Sequence, residues 1–174
     1  MLINLTDVFT SAGKDRRESL IYEPDSFFHM GNAYKIHEKS PVDLMLSNNG
    51  NGKALIRGSL HLVLEMPCDR CLQIVKEPLT VEFEQEVFSP DADRQGEDQD
   101  EQSFMQGYEL DVEAFVNNEI LINMPVKVLC RPYCKGICKK CGHNLNEGEC
   151  GCDTFIPDPR MAAIKDIFNA DKEV

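Results

Sequence analysis

Cysteines are the residues of this chain best suited to chemistry, because six of the eight fall within residues 130–152. Four of them have the spacing Cys-x2-Cys, eight residues, Cys-x-Cys, which suits four thiolates around one tetrahedral metal ion. Gly142 follows the second cysteine, and glycine adopts the positive φ of a metal knuckle more easily than other residues. The spacing therefore predicts a structural zinc site, with His143 as an alternative to one thiol. The predicted ligands are Cys138, Cys141, Cys150 and Cys152.

The remaining four cysteines form two further pairs, which together could bind a second metal ion. The pairs are Cys68 with Cys71 and Cys130 with Cys134. Bringing them together closes a long loop at an entropic cost that grows slowly with loop length. Zinc binding, worth on the order of 10–16 kcal/mol in small zinc modules, can offset that cost. Leu72 rather than glycine follows Cys71, so this knuckle is less typical, and the alternative leaves these thiols without a metal. We expect one zinc ion and consider a second.

Thiol–disulfide chemistry is a less favoured interpretation of the same cysteines. A redox Cys-x2-Cys pair normally begins a helix in a βαβ unit, whereas Cys68 follows Pro67 at the end of a predicted antiparallel strand. The neighbouring Asp69 would raise the pKa of a thiol. Four thiolates leave no open position for catalysis on zinc, and the chain has neither a G-x-S-x-G motif nor a phosphate loop. We therefore expect that the protein is not an enzyme.

The charge is unevenly distributed along the chain. The net charge of −12 would fall to about −16 with two loaded sites, since each four-thiolate zinc site adds −2. Such a charge argues against non-specific binding to nucleic acid. Residues 120–146, however, contain no acidic side chain. Their cations either contact RNA phosphates or balance the charge of metal-bound thiolates, and both interpretations stay open. These candidate RNA-binding residues are Lys127, Arg131, Lys135, Lys139 and Lys140.

Alternating apolar and polar residues predict antiparallel strands in the first half of the chain. Asp111 suits the N-cap of a short helix that Pro125 ends, and Asp158-Pro159 is typical of the start of a last helix. We expect an α+β fold, with an antiparallel β-sheet or partial barrel as the body, one or two short helices and a C-terminal zinc-binding module. The clearest alternation places one set of residues on an apolar face: Ala54, Ile56, Leu60, Leu62, Leu64 and Met66.

Composition divides the chain into five segments. Many acidic and few apolar residues predict a flexible linker at 90–107. No stretch has the length of a signal sequence or approaches the roughly 20 apolar residues that span a bilayer, so we expect a cytoplasmic protein. The segments are an antiparallel β body (1–89), the acidic linker (90–107), a helix and return strand packing on the body (108–129), the zinc module (130–153) and a C-terminal helix (154–174).

Three stretches combine into a specific pattern. Residues 66–72 read MPCDRCL, residues 109–112 read ELDV, and residues 130–146 read CRPYCKGICKKCGHNLN. This combination resembles the YceD family of bacteria and plastids, with its C-x-R-C-L core motif, following helix and cysteine-rich tail. The resemblance implies a role in the accumulation of large-subunit (23S) ribosomal RNA. It also marks Cys68, Arg70 and Cys71 as the shared motif and the tail cysteines as metal ligands.

Two functional hypotheses follow. The first is a non-catalytic factor that supports 23S rRNA accumulation and ribosome assembly, whose partner is large-subunit rRNA or a precursor ribosomal particle. The second is an acidic adaptor that holds a basic ribosomal protein. It would use the linker or the strand face of Glu82, Glu84 and Glu86. Salt-sensitive binding of a large-subunit protein without RNA would favour the adaptor.

Overall fold

Antiparallel strands dominate the computed structural model, which describes residues 1–92 and 102–152. Contacts divide the chain into two compact units: Met1–Cys68 with Gln73–Val128, and Asp69–Leu72 with the segment that begins at Leu129. The strands are β1 (Leu2–Asn4), β2 (Asp15–Leu20), β3 (Ser26–His29), β4 (Asn32–Lys39), β5 (Val42–Gly50), β6 (Lys53–Pro67), β7 (Ile74–Phe88), β8 (Met105–Gln106) and β9 (Glu109–Asp111), and the helices are α1 (Thr6–Thr10) and α2 (Val112–Asn123).

A long hairpin of β6 and β7 is the centre of the larger sheet. The two strands pair along their whole length, from Lys53 opposite Phe88 to Pro67 opposite Ile74. The other edge of β6 is shared between β5 and β4, which are extended by β2 and β3, respectively. All these pairings are antiparallel, and hydrogen bonding does not close the described strands into a barrel. The expected sheet is confirmed in its open form.

The inward face of β6 forms part of the core. All six residues that the alternation placed on this face are buried, which confirms the prediction. Gly58 interrupts the series because a Cβ there would lie 2.0 Å from the Asp43 carbonyl oxygen and 2.7 Å from the Phe83 ring. Phe83 in turn packs edge to face against Phe115 of α2, with ring centroids 5.1 Å apart.

Helix α2 begins where the sequence predicted. The Asp111 carboxylate accepts hydrogen bonds from the backbone N–H groups of Glu113 and Ala114 at 3.1 and 3.3 Å. The strand found within 108–129 precedes this helix as β9, and it pairs with β1 and β8 in a small second sheet. Helix α1 was not predicted, because five residues are too few to show a helical period. The predicted C-terminal helix and the centre of the acidic linker lie outside the described residues.

The loop between β6 and β7 carries two of the predicted ligands. It spans residues 68–73 and is closed by a hydrogen bond from the Cys68 N–H group to the Gln73 carbonyl oxygen at 2.8 Å.

The predicted domain boundaries are not tested by these observations and stay predictions. Over the described residues, neither helix has the length and apolar character needed to cross a membrane.

Candidate metal centres

The structure gathers the eight cysteines into two groups of four. Within each group the four Sγ atoms lie within 4.8 Å of one another. A tetrahedral zinc ion with bonds of about 2.3 Å separates its sulfur ligands by about 3.8 Å, so both groups fit such an ion. The first cluster is Cys68, Cys71, Cys130 and Cys134, and the second cluster is Cys138, Cys141, Cys150 and Cys152.

The first cluster draws on the β6–β7 loop and on the segment after α2. Three of its cysteines are buried and Cys130 is half-buried. The Sγ atoms of Cys71 and Cys130 are 3.5 Å apart, well beyond the roughly 2.05 Å of a disulfide bond. The chain turns at Leu72, which has a φ of 62°. The first cluster is therefore a set of mostly enclosed thiols that reach the site from distant parts of the sequence.

The second cluster repeats the same turn with a different residue. The Cys138 N–H group donates to the His143 carbonyl oxygen at 2.8 Å, as that of Cys68 does to Gln73 five residues later. Gly142 has a φ of 74°, in the same left-handed region as Leu72. The first knuckle is thus typical in its backbone although it lacks the glycine. His143 supplies a carbonyl oxygen to this turn and is not a member of the cluster.

Arg70 joins the two parts of the first cluster. Its Nη1 donates to the Cys134 carbonyl oxygen at 2.8 Å, and its own carbonyl oxygen accepts from the Ile137 N–H group at 3.1 Å. Gly136 lets the chains approach, because it has a φ of 81° and a Cβ there would lie 3.0 Å from the Arg70 carbonyl oxygen. The arginine of the C-x-R-C motif therefore holds residues 134–137 against the hairpin loop.

The Asn146 side chain makes hydrogen bonds to Cys134 and to residues close to it. Its Nδ2 donates to the Cys134 Sγ at 3.2 Å and to the Asn144 Oδ1 at 2.8 Å. Its Oδ1 accepts from the Lys135 N–H group at 2.8 Å and from the Arg131 Nε at 3.2 Å. Sequence reasoning missed this residue, because an asparagine in a loop carries no spacing signal. Asn146 lies beside the candidate ligand Cys134, where a hydrogen-bond donor can orient the sulfur.

The thiols differ in acidity, because their hydrogen-bond partners differ. The backbone N–H groups of Cys141 and Lys140 lower the pKa of the Cys138 thiol to about 6. Hydrogen bonding with Cys141 and Cys150 raises the pKa of the Cys152 thiol to about 12. Burial alone would raise the pKa of Cys134, but hydrogen bonds from Asn146 and the Gly136 backbone lower it overall. Four neighbouring thiolates repel one another, and a divalent cation would remove that repulsion.

The candidate RNA-binding residues are all exposed, but they differ in their contacts. Over residues 1–92 and 102–152, Lys135, Lys139 and Lys140 have no carboxylate within salt-bridge distance. Arg131 differs, because its Nε and Nη2 contact the Oδ1 and carbonyl oxygen of Asn146 at 3.2 and 3.3 Å. Its guanidinium thus holds the loop of the cysteine-rich segment. Lys127, in the other unit, is exposed as well.

The strand face proposed for an adaptor is partly neutralised. Glu84 pairs with Arg57 at 3.1 Å, and Glu86 pairs with Lys53 at 3.3 Å. Glu82, on the same face of β7, is exposed. Since two of the three glutamates already have cationic partners, this face offers less negative charge than the sequence suggests.

Comparison with known families agrees with the arrangement of the cysteine motifs. The model of the family described as "Large ribosomal RNA subunit accumulation protein YceD" matches residues 56–168, which is most of the chain. The chain belongs to the YceD family. The match begins in β6 and includes the candidate ligands of both clusters, so the membership predicted from residues 66–72 and 130–146 is confirmed.

The individual relatives are distant in sequence. A chloroplastic YCED homolog 1 of Arabidopsis thaliana, named as a large ribosomal RNA subunit accumulation protein, is 34% identical over 44 residues. That alignment covers 25% of this chain and 14% of the plant protein. An uncharacterized protein of Mycobacterium tuberculosis is 26% identical over 133 residues, covering 76% of this chain and 63% of the mycobacterial one. The chain thus spans less than two thirds of these relatives. No solved structure matches.

Proposed function

We propose that this YceD protein is a non-catalytic factor that supports 23S rRNA accumulation and large-subunit assembly, and that it uses two structural zinc ions. The family name implies the rRNA role. The observation that carries the proposal is the presence of exposed lysines on a segment that also contributes thiols to both four-cysteine clusters. The zinc would hold this segment in one conformation, so that its cations face large-subunit rRNA or a precursor particle in the cytoplasm.

The donor set favours zinc in a structural role. Sets of four thiolates select soft or borderline metals, and Zn²⁺ is the usual occupant of two paired knuckles. All four ligands in each cluster come from the protein, which leaves no position for a substrate. Zinc would supply charge neutralisation and cross-linking. The protein's own contribution is the knuckle turns, the Arg70 hydrogen bonds and the buried thiols.

The RNA interface would consist of phosphate contacts. Lysine ammonium groups bind phosphates as point charges and carry no base-sequence information by themselves. Lys135, Lys139 and Lys140 have no carboxylate partners among the described residues, so binding RNA would not require breaking an ion pair. The acidic remainder of the chain, with its net charge of −12, would repel RNA elsewhere. Binding should therefore be local and sensitive to salt.

Charge reversal tests this proposal. In the variant K135E/K139E/K140E with its zinc retained, we expect weaker binding to a 23S rRNA fragment and loss of co-sedimentation with precursor large subunits. The slope of log affinity against log salt should decrease by about 2, since each phosphate contact contributes about 0.7 on single strands. The matched control R17E/K35E/K76E changes the net charge equally on exposed strand residues. Equal losses in both variants, or no loss in the first, would reject the lysine interface.

The alternative functions have less support. An acidic adaptor for a basic ribosomal protein would use a strand face on which Glu84 and Glu86 are already paired with cations. A thiol–disulfide role would need a reactive pair, whereas these thiols lie in compact groups of four. RNA-independent, salt-sensitive capture of a large-subunit protein would restore the adaptor hypothesis.

A further inference from the structure

The two clusters share one short piece of backbone. Cys134 of the first cluster and Cys138 of the second are separated by only three residues. These three residues, 135–137, form a bridge that makes hydrogen bonds on both sides. The Ile137 N–H group donates to the Arg70 carbonyl oxygen at 3.1 Å, and the Gly136 carbonyl oxygen accepts from the Leu145 N–H group at 2.9 Å. A displacement of the bridge at one cluster would therefore also displace a cysteine of the other cluster.

The loop at residues 142–149 belongs to the second cluster, because Cys141 and Cys150 flank it. It is held on the bridge by the Ile137–Asn144 β-pairing and by the hydrogen bond from the Cys138 N–H group to the His143 carbonyl oxygen at 2.8 Å. A metal ion bound by the second cluster would fix both ends of this loop. Occupancy of that cluster would therefore reduce the freedom of every side chain between its ends.

Asn146 extends from this loop to the first cluster. Its Nδ2 lies 3.2 Å from the Cys134 Sγ, and its Oδ1 accepts from the Lys135 N–H group at 2.8 Å. The same Oδ1 accepts from the Nε of Arg131, the residue that follows the ligand Cys130. The Asn146 side chain, which belongs to the loop of the second cluster, thus contacts the Cys134 sulfur of the first cluster directly. It also contacts Lys135 and Arg131, which follow the first-cluster residues Cys134 and Cys130 in the chain.

We propose that Asn146 is a positioning residue through which the two metal sites bind zinc cooperatively. Zinc in the second cluster orders the loop, and the loop presents the Asn146 N–H group to the Cys134 thiolate. This donor orients the sulfur and stabilises its negative charge, which strengthens zinc binding by the first cluster. By linkage, zinc in the first cluster strengthens binding by the second cluster equally. The inference rests on the proposed function, because it requires zinc in both clusters.

The test measures zinc affinity in the whole 174-residue chain. Zn²⁺ is titrated against a competing chelator, and native mass spectrometry counts chains with zero, one and two ions. The double variant C150S/C152S removes the second site and should weaken the first by about tenfold, within the usual range of coupling. N146A should weaken the first site by about tenfold. Combining the three substitutions should cause little further loss, because the coupling passes through Asn146.

Two further variants separate the hydrogen bond to sulfur from a general effect on the loop. N146D keeps an oxygen acceptor for the Lys135 N–H group but loses the donor to Cys134. It should bind zinc at least as weakly as N146A, because it lacks the donor and also places a negative charge beside the Cys134 thiolate. An affinity near wild type in N146D would reject the role of the hydrogen bond to sulfur. G148A is the matched control, since nothing lies within 4 Å of a Cβ at that position of the same loop.

The outcomes distinguish the inference from the proposed function. If the wild-type chain binds no zinc, the structural zinc of the proposed function is rejected, together with the coupling. If two ions bind but N146A and N146D match wild type at the first site, only the coupling is rejected. Additive losses for N146A and C150S/C152S would also reject it. Circular dichroism of each variant verifies that the strands are intact before the affinities are compared.

Discussion

Each of the two clusters consists of four cysteine thiols, but the chain assembles them differently. The second cluster takes its candidate ligands from residues 138–152, and only Cys138 among them is buried. The first cluster takes two candidate ligands from the β6–β7 loop and two from a segment beyond α2, and three of its four thiols are buried. A metal ion in the second cluster would close a local loop, whereas one in the first would cross-link distant parts of the chain. The clusters should therefore differ in their contribution to stability.

Removal of one ligand from each cluster should give the largest contrast. Cys71→Ser should leave buried thiolates without their full set of partners and lower the free energy of unfolding by about 3–5 kcal/mol, as for other uncompensated buried charges. Cys141→Ser should cost clearly less, because this thiol is exposed. Thermal unfolding at fixed zinc concentration measures both, and native mass spectrometry should count one ion lost in each. Equal losses of stability in the two variants would contradict the expected difference between the clusters.

Arg70 offers a second contrast between the clusters, because its side chain donates to the backbone of a first-cluster cysteine, Cys134. Arg70→Ala removes the hydrogen bond to the Cys134 carbonyl oxygen. We expect the zinc affinity of the first cluster to fall by about 10- to 100-fold, as when other outer hydrogen-bond partners are lost. The affinity of the second cluster should fall by no more than the roughly tenfold of the proposed coupling. Chelator competition measures both. Arg70→Lys is the control that keeps the charge, and full recovery in it would show that charge rather than the guanidinium geometry matters.

The same contrast explains how much the sequence could reveal. The second cluster is encoded within fifteen residues, so the spacing and Gly142 were enough to predict that these four thiols lie together. The alternation along β6 and the Asp111 cap are equally local signals, and the structure confirms both. The grouping of Cys68 and Cys71 with Cys130 and Cys134 depends on the hairpin and was inferred only by elimination. Asn146 could not be predicted, because its role exists only once the loop lies beside Cys134.

The number of protons that zinc binding releases at the second cluster should depend on pH. At pH 7 the Cys138 thiol, with a pKa of about 6, is mostly ionised, while Cys152, with a pKa of about 12, is protonated. Zinc binding should therefore release about one proton more below pH 6 than at pH 7, since metal must then also displace the proton on Cys138. The affinity should fall more steeply as the pH drops through 6. Calorimetry of Cys71→Ser in buffers of different ionisation enthalpy measures the number of protons released, and an equal number at pH 7 and below pH 6 would contradict the prediction.

The smallest expected effects concern the two knuckle turns, where the clusters share a backbone conformation but not a residue. Gly142→Ala places a Cβ in the left-handed region and should cost about 1 kcal/mol of stability in the zinc-bound protein. Leu72→Gly relieves the same strain but adds freedom to the unfolded chain, so the two effects should nearly cancel, within about 0.5 kcal/mol. Leu72 is 63% exposed, so little burial is lost. Denaturant unfolding measures both variants. A large loss for Leu72→Gly would show that this side chain, unlike Gly142, has a contact role of its own.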